Sequence, residues 1–347
     1  MVRIGELPTR LLALKYGCDL VWGPEIIDKK ILTCERFENE KLNTIDFLST
    51  KNQNSGSKNN ENFSNLVFRT YPLIEKDKLI FQMGTSNPDL AVSAAKIIIN
   101  DVSGIDINAG CPKHFSIHSG MGAALLSTPE LLQTILKRLV EEVGKPNKKP
   151  ISVKIRLLPT REESLNLISK LLTTGISNLT LHCRTKTMRN REPPIRDYLK
   201  EIIEKCNEHN KRFFFLQSQY GKSIGCMIAS AAELNPTCFN EFGELPWYIT
   251  CKEFIKLCDQ FENHKGNTKY CLTRMIPSGK SKFSKKLHDL ISRAKTHDEI
   301  KKIILQDLNE NDILKEQDIK KRNIQHDYSQ PNSFKKIKVG TTGDDET

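Results

Sequence analysis

Short apolar runs rich in β-branched residues recur along most of the chain, separated by longer segments whose apolar positions fall at helical spacing. The runs are DLVWGPEII at 19–27, LIFQ at 79–82, GIDIN at 104–108, ISVKIR at 151–156, NLTLHC at 178–183, RFFFL at 212–216 and GCMIA at 225–229. Between them, residues 88–100, 128–144 and 161–175 read as amphipathic helices, the last stopping on Gly175. Strand alternating with helix is the rhythm of a parallel α/β domain. Seven such strands are one short of a TIM-type (β/α)8 barrel, and the chain opens on MVRIGELPTRLLALKYG, which already reads as loop and helix. The expectation is therefore a barrel whose first strand is missing upstream of Met1. From Trp247 the pattern turns wholly helical, as in YITCKEFIKLCDQFENH and SKKLHDLISRAKTHDEIKKIILQDL. The expected organisation is a barrel over residues 1–246, a small all-helical domain over 247–318 and a polar, basic, disordered tail over 319–347. Residues 49–64, rich in Ser, Asn, Gln and Lys, read as a solvated loop.

Charge then narrows the partner. The excess of 53 Lys and Arg over 42 Asp and Glu gives +11 in 347 residues, which favours a polyanion because each neutralised phosphate releases counterions. Nucleic acid leads, ahead of an anionic membrane surface, and Lys335, Lys336 and Lys338 in the tail read equally as a localisation signal or as solubilising charge. The ten cysteines include no CxxC pair and no zinc spacing, so a reducing compartment is implied. Cys183 and Cys226 lie in apolar runs, where a thiol acts as a small hydrophobe. The expectation is a monomer in the cytoplasm, extending to the nucleus, with no membrane partner and no metal.

Several strands end in a residue that a core would not choose: Gln82, Asn108 and His182, with Lys154 near the end of its run. In a βα barrel the carboxyl ends of the strands build the active site. Any one of the four is as readily a residue that bonds a loop, but four at equivalent positions point to convergence. Directly after Asn108 comes AGCPKHFSIHSGMGAALL. Cys111 stands there on a Gly-Cys-Pro turn with Lys113, His114 and His118 close by, a setting suited to giving or taking a proton, although a lone Cys is more often an inert buried thiol. Gly120 and Gly122 mark either a close backbone approach or a tight turn.

DINAGCPKHFSIHSGMGAALL, followed in order by VKIR, LHCRT and CMIASAAELNPTCF, resembles the signature blocks of the tRNA-dihydrouridine synthases. GELPTRLLALKYGCDLVWGPEIIDKK is similar to that family's opening, and NHKGNTKYCL at 263–272 resembles the helical domain of its eukaryotic type acting at tRNA position 20. The resemblance spans roughly residues 1–275 and implies reduction of a uridine C5=C6 bond in the D-loop of tRNA, with FMN as cofactor and NADPH or NADH as electron source. It implies Cys111 as the acid that protonates C5 after hydride from the flavin reaches C6. Gln82 and Lys154 would hold the polar edges of the flavin ring and His182 would contact the cofactor. Asn108 and Arg184 would meet the uracil or its backbone, and the base must leave its stack to reach the ring.

The chain also departs from the family pattern. Only Met1 and Val2 remain of a Pro-Met-Val turn that touches the flavin, and QSQYGKS follows FFFL where an Asn-Gly turn is usual. Ser230 occupies a phosphate-binding position that is often Arg, leaving Ala229 and Ser230 to hold the phosphate by backbone and hydroxyl. A competing expectation is thus a catalytically impaired tRNA-binding scaffold of the same fold. That rival has no use for Cys111, Lys154 and His182 together.

Overall fold

The computed structural model describes residues 3–50, 65–189, 191–208, 212–213, 225–277 and 282–306. Its main sheet is parallel and curled, half of a barrel, with strand order β1 (Val21–Trp22), β6 (Leu79–Gly84), β7 (Gly104–Ala109), β8 (Ile151–Leu157), β9 (Asn178–Thr185) and β10 (Arg212–Phe213). A second short strand, β2 (Ile26–Ile27), also pairs with β6. Six of the seven runs read from sequence thus contribute strand, the first of them as two short pieces. The seventh does not. Residues 225–229 make no ladder, and Cys226, Ile228 and Ala229 are exposed. Gly at the head and Ala at the foot give this run little strand preference, and it leads straight into the helical turn Ser230–Leu234. Cys226 is therefore no core hydrophobe, whereas Cys183 is 3% exposed and burial pushes its thiol up to about 11.

The sheet separates two chemistries by its period of two. Odd positions carry Phe81 and Met83, Ile105 and Ile107, Val153 and Ile155, Leu179 and Leu181, all joined in one buried cluster. Against this outer face pack helices Pro88–Ile98, Pro129–Leu139 and Arg161–Leu172, through residues such as Ala91, Ala95, Leu132, Leu136, Ile168 and Leu171. Local signals place these helices. Asn87 Oδ1 accepts the Asp89 and Leu90 N–H groups, and Thr160 with Glu163 forms a reciprocal capping box. Gly175, at φ +85°, closes the third helical segment. Even positions on β6–β9 carry the polar residues discussed below.

One feature lies outside the sequence reading. Residues 34–70 hold an antiparallel meander of β3 (Cys34–Asn39), β4 (Thr44–Ser49) and β5 (Leu66–Thr70), its first turn passing through Asn43 at φ +53°. Phe68 of this meander meets Phe81 of β6 edge to face, with ring centroids 5.3 Å apart. The helix expected in the opening segment is Leu7–Lys15, buried on every residue from Leu7 to Leu14. Its burial on all sides comes from packing between two cores: Ala13 and Leu14 join the barrel core, while Leu12 joins the core of helices Trp247–Gln260, Lys265–Met275, Lys282–Arg293 and His297–Leu305. Arg10 on it pairs with Glu75 and donates to the Arg69 carbonyl, and Arg69 pairs with Asp46 and donates to the Phe261 carbonyl. Two buried ion pairs so tie the meander, the first helix and the C-terminal helices together. Among the described residues no helix is long and apolar enough to cross a membrane.

Candidate active site

The parallel register sets Gln82 beside Asp106, Asn108 beside Lys154, and Arg156 beside His182. With Ser152, Thr180 and Arg184 these are the even positions of neighbouring strands, so all point to the inner face. Asp106 is fully buried there. Its Oδ2 accepts from Gln82 Nε2 at 2.8 Å and its Oδ1 from Ser152 Oγ at 2.7 Å, and the Trp22 indole also supports its charge. Burial raises the Asp106 pKa, opposed by these hydrogen bonds and by Lys154. Lys154 moves the other way: burial lowers it, and Asp106 and Cys111 hold it back up. No hydrogen bond joins the Lys154 ammonium to a described residue, which leaves its donors for whatever enters the site.

Asn108 is a structural element of the thiol turn. Its Oδ1 accepts the N–H groups of both Gly110 and Cys111 at 3.0 Å, an Asx-type cap that fixes the chain as it leaves β7. Its amide also supports the charge of Glu25, whose pKa burial raises. Cys111 is half-buried, and its carbonyl accepts from Ala123 N. Gly122, at φ +60°, lies so close that a Cβ there would stand 2.6 Å from the Cys111 oxygen, so the second glycine of the pair is a close backbone approach. Beside the thiol, Arg156 is held by the carbonyls of Gly110 and Thr185. His182 Nε2 lies 3.1 Å from Arg184 Nη1, and Arg184 Nε donates to the Glu192 carbonyl. Burial, then the cations Lys154, Arg156 and Arg184, hold His182 down to about 4, so its imidazole is neutral at physiological pH.

Gln82, Asn108, Lys154, His182, Arg184 and Cys111 therefore share one face and one end of the sheet. Ala229 lines a cavity of about 150 Å³ that it shares with Val21 and with Trp22, the residue whose indole supports Asp106. Ser230 begins the adjoining helical turn and is exposed. Met1 and Val2 lie outside the described residues, as do the segment 51–64, residues 214–224 and the tail from 307. Sequence reading passed over Asp106, Ser152, Arg156 and Glu25. The signal for the first three was their even spacing within apolar runs.

A parallel βα sheet carrying a capped thiol turn and an inward cationic cluster at its carboxyl edge defines a βα-barrel enzyme with a proton-transfer group at that edge. The model of the dihydrouridine synthase (Dus) family matches residues 19–210. That is more than half of the chain, which belongs to this family. The chain is 51% identical over 329 residues to the tRNA-dihydrouridine(20) synthase (NAD(P)+) of Saccharomyces cerevisiae, covering 89% of this chain and 83% of that protein. It is 45% identical to the Schizosaccharomyces pombe protein of the same name, of whose length it spans 63%. Its identity to the S. cerevisiae tRNA-dihydrouridine(20a/20b) synthase (NAD(P)+) is 27%.

Proposed function

We propose that this protein reduces a uridine of tRNA to dihydrouridine, at position 20 of the D-loop, using FMN and an NADPH or NADH electron source. The observation that carries it is the Cys111 thiol on its Asn108-capped turn, in electrostatic contact with Lys154 and Arg156. Identity of 51% and 45% to the position-20 enzymes, against 27% to the 20a/20b enzyme, supports the choice of position.

The inner face fits the flavin ring. Gln82 spends its amide N–H on Asp106, leaving its carbonyl to accept from a ring N–H. Lys154 is a buried cation with unspent donors, suited to a ring edge that becomes negative on reduction. The flavin, when bound, supplies hydride for uracil C6. Cys111 Sγ then gives its proton to C5, since saturating the double bond needs a hydride on one carbon and a proton on its neighbour. Lys154 and Arg156 stabilise the thiolate left behind. Neutral His182 offers a hydrogen bond with no charge to compete with Lys154. The helices after Trp247, rich in Lys and Arg, would hold the folded tRNA by shape and phosphate.

The test is flavin content of the purified protein, together with dihydrouridine formed in unmodified tRNA transcript by wild type and Cys111→Ala. Bound FMN and a Cys111-dependent product support the proposal. A protein that binds tRNA firmly yet forms no dihydrouridine after FMN is supplied would be the scaffold instead.

A further inference from the structure

The turn that follows the thiol is built inside out. From Lys113 to Ser119 only Ser116 is buried, at 0% exposure, while Phe115 and Ile117 are 47% and 41% exposed. His114 and His118 stack on each other beside them, with ring centroids 5.6 Å apart. This segment is held rigidly to the site. Cys111 Cβ and Ser116 Cβ lie 3.0 and 3.1 Å from the Cβ position that Gly122 lacks. Ser119 Oγ donates to the Phe115 carbonyl, and Ser86 Oγ donates to the Ser119 carbonyl. An ordered, exposed Phe and Ile beside the thiol turn offer an apolar surface that a partner can cover.

Next to this platform, and sharing Ser119 with it, runs a groove of about 580 Å³ lined by Lys29, Lys30, Thr33, Ser86 and Asn87. Both lysines are exposed. Asp28, the acidic residue of the lining, turns inward and spends its oxygens on Thr85 Oγ1 and the Lys29 N–H. The groove is therefore cationic, with hydroxyl and amide groups around two ammonium ions.

From this juxtaposition we infer that Phe115 stacks on the base next to the target uridine, and that Lys29 and Lys30 hold the phosphate backbone of that same single strand. The inference rests on the proposed action on tRNA. A uridine drawn out of its stack leaves its neighbour with an uncovered face, and an aromatic side chain replaces the lost stacking whatever that base is. A protein partner also matches the apolar pair, but one strand of nucleic acid brings a base for Phe115 and phosphates for Lys29 and Lys30 together.

The experiment measures Kd of the full-length protein for unmodified tRNA by fluorescence anisotropy across a salt series, with dihydrouridine assayed in the same samples. Phe115→Ala is expected to weaken binding by roughly five- to 140-fold, the range for one lost base stack, and Phe115→Tyr to restore it. The double variant Lys29→Ala/Lys30→Ala is expected to flatten the salt dependence of log Kd by about 1.5, for two phosphate contacts. Leu73→Ala, an exposed apolar residue (72%) outside both the platform and the groove lining, should leave Kd unchanged. Wild-type Kd and salt slope in both the Phe115→Ala and double-lysine variants would overturn the inference while leaving dihydrouridine synthesis standing. If wild type forms no dihydrouridine but the variants weaken tRNA binding as stated, the surface holds and the enzymatic proposal fails.

Discussion

Gln82 Nε2 donates to Asp106 Oδ2 across the β6–β7 ladder at 2.8 Å. This fixes which end of the amide faces the site, and it ties the orientation of Gln82 to the carboxylate that faces it in register on the next strand. The inner face is thus a network whose members set one another.

Asp106 is the hub, so its removal should cost more than a site residue normally does. Asp106→Ala strands Gln82 Nε2 and Ser152 Oγ in a buried setting, an expected loss of roughly 2–4 kcal/mol. Asp106→Asn, which keeps shape and one acceptor, should lose less. Urea unfolding of the three proteins decides this; equal stabilities would mean the network contributes nothing to folding.

Lys154 is expected to act through its charge. Lys154→Met, close in volume, removes a cation whose burial is a cost to the native state but also the charge that supports buried Asp106, so the two effects oppose and the melting temperature should move little. The variant should lose catalysis by on the order of 10²-fold, the usual scale for one stabilising charge, along with flavin affinity. Thermal melts and single-turnover reduction separate the two effects. A variant that turns over at the wild-type rate would remove Lys154 from the mechanism.

His182 gives a pH prediction with a definite sign. Its folded pKa of about 4 lies below the unfolded value near 6.5. Between these the unfolded chain binds more protons, so acidification from about 6.5 to about 4 should erode stability through this residue, while above 6.5 it contributes no slope. His182→Gln should show a shallower fall over that window in denaturation at fixed salt. An unchanged fall would mean that the imidazole is already charged in the folded protein.

Gly122→Ala should disturb the thiol turn by pressing on the Cys111 backbone and Cβ while leaving the thiol itself in place. A Cβ at φ +60° and 2.6 Å from the Cys111 carbonyl forces the backbone to shift, with strain of about 1–3 kcal/mol. The expected signature is an altered rate of Cys111 alkylation together with a lowered melting temperature. A wild-type alkylation rate would show that the turn can yield elsewhere.

Strands β6 to β9 were legible because parallel strands buried on both faces read as nearly continuous apolar runs. For the same reason Asp106 and Arg156 were hidden: a single polar residue inside such a run does not interrupt it, and only comparison of even positions across strands exposes the pattern. The meander escaped because CERFEN turns four charged or bulky residues outward and commits little beyond Cys34 to the core. Residues 225–229 misled in the opposite direction, being apolar enough for a strand but having no ladder to join. The thiol turn was readable since Gly-Cys-Pro after a strand marks a stop in regular structure. Asn108, by contrast, gave no sign that its oxygen would be spent on that turn.

The division of the sheet into odd and even positions also bears on how this chain can tolerate changes of length. Deleting one residue within β8 would exchange the two sides from that point onward, sending Lys154 or Arg156 toward the helices and an isoleucine toward the thiol. Deleting two would shorten the strand and preserve sidedness. Gains and losses of sequence compatible with catalysis are therefore expected to fall in the connections, or to come in pairs within the strands.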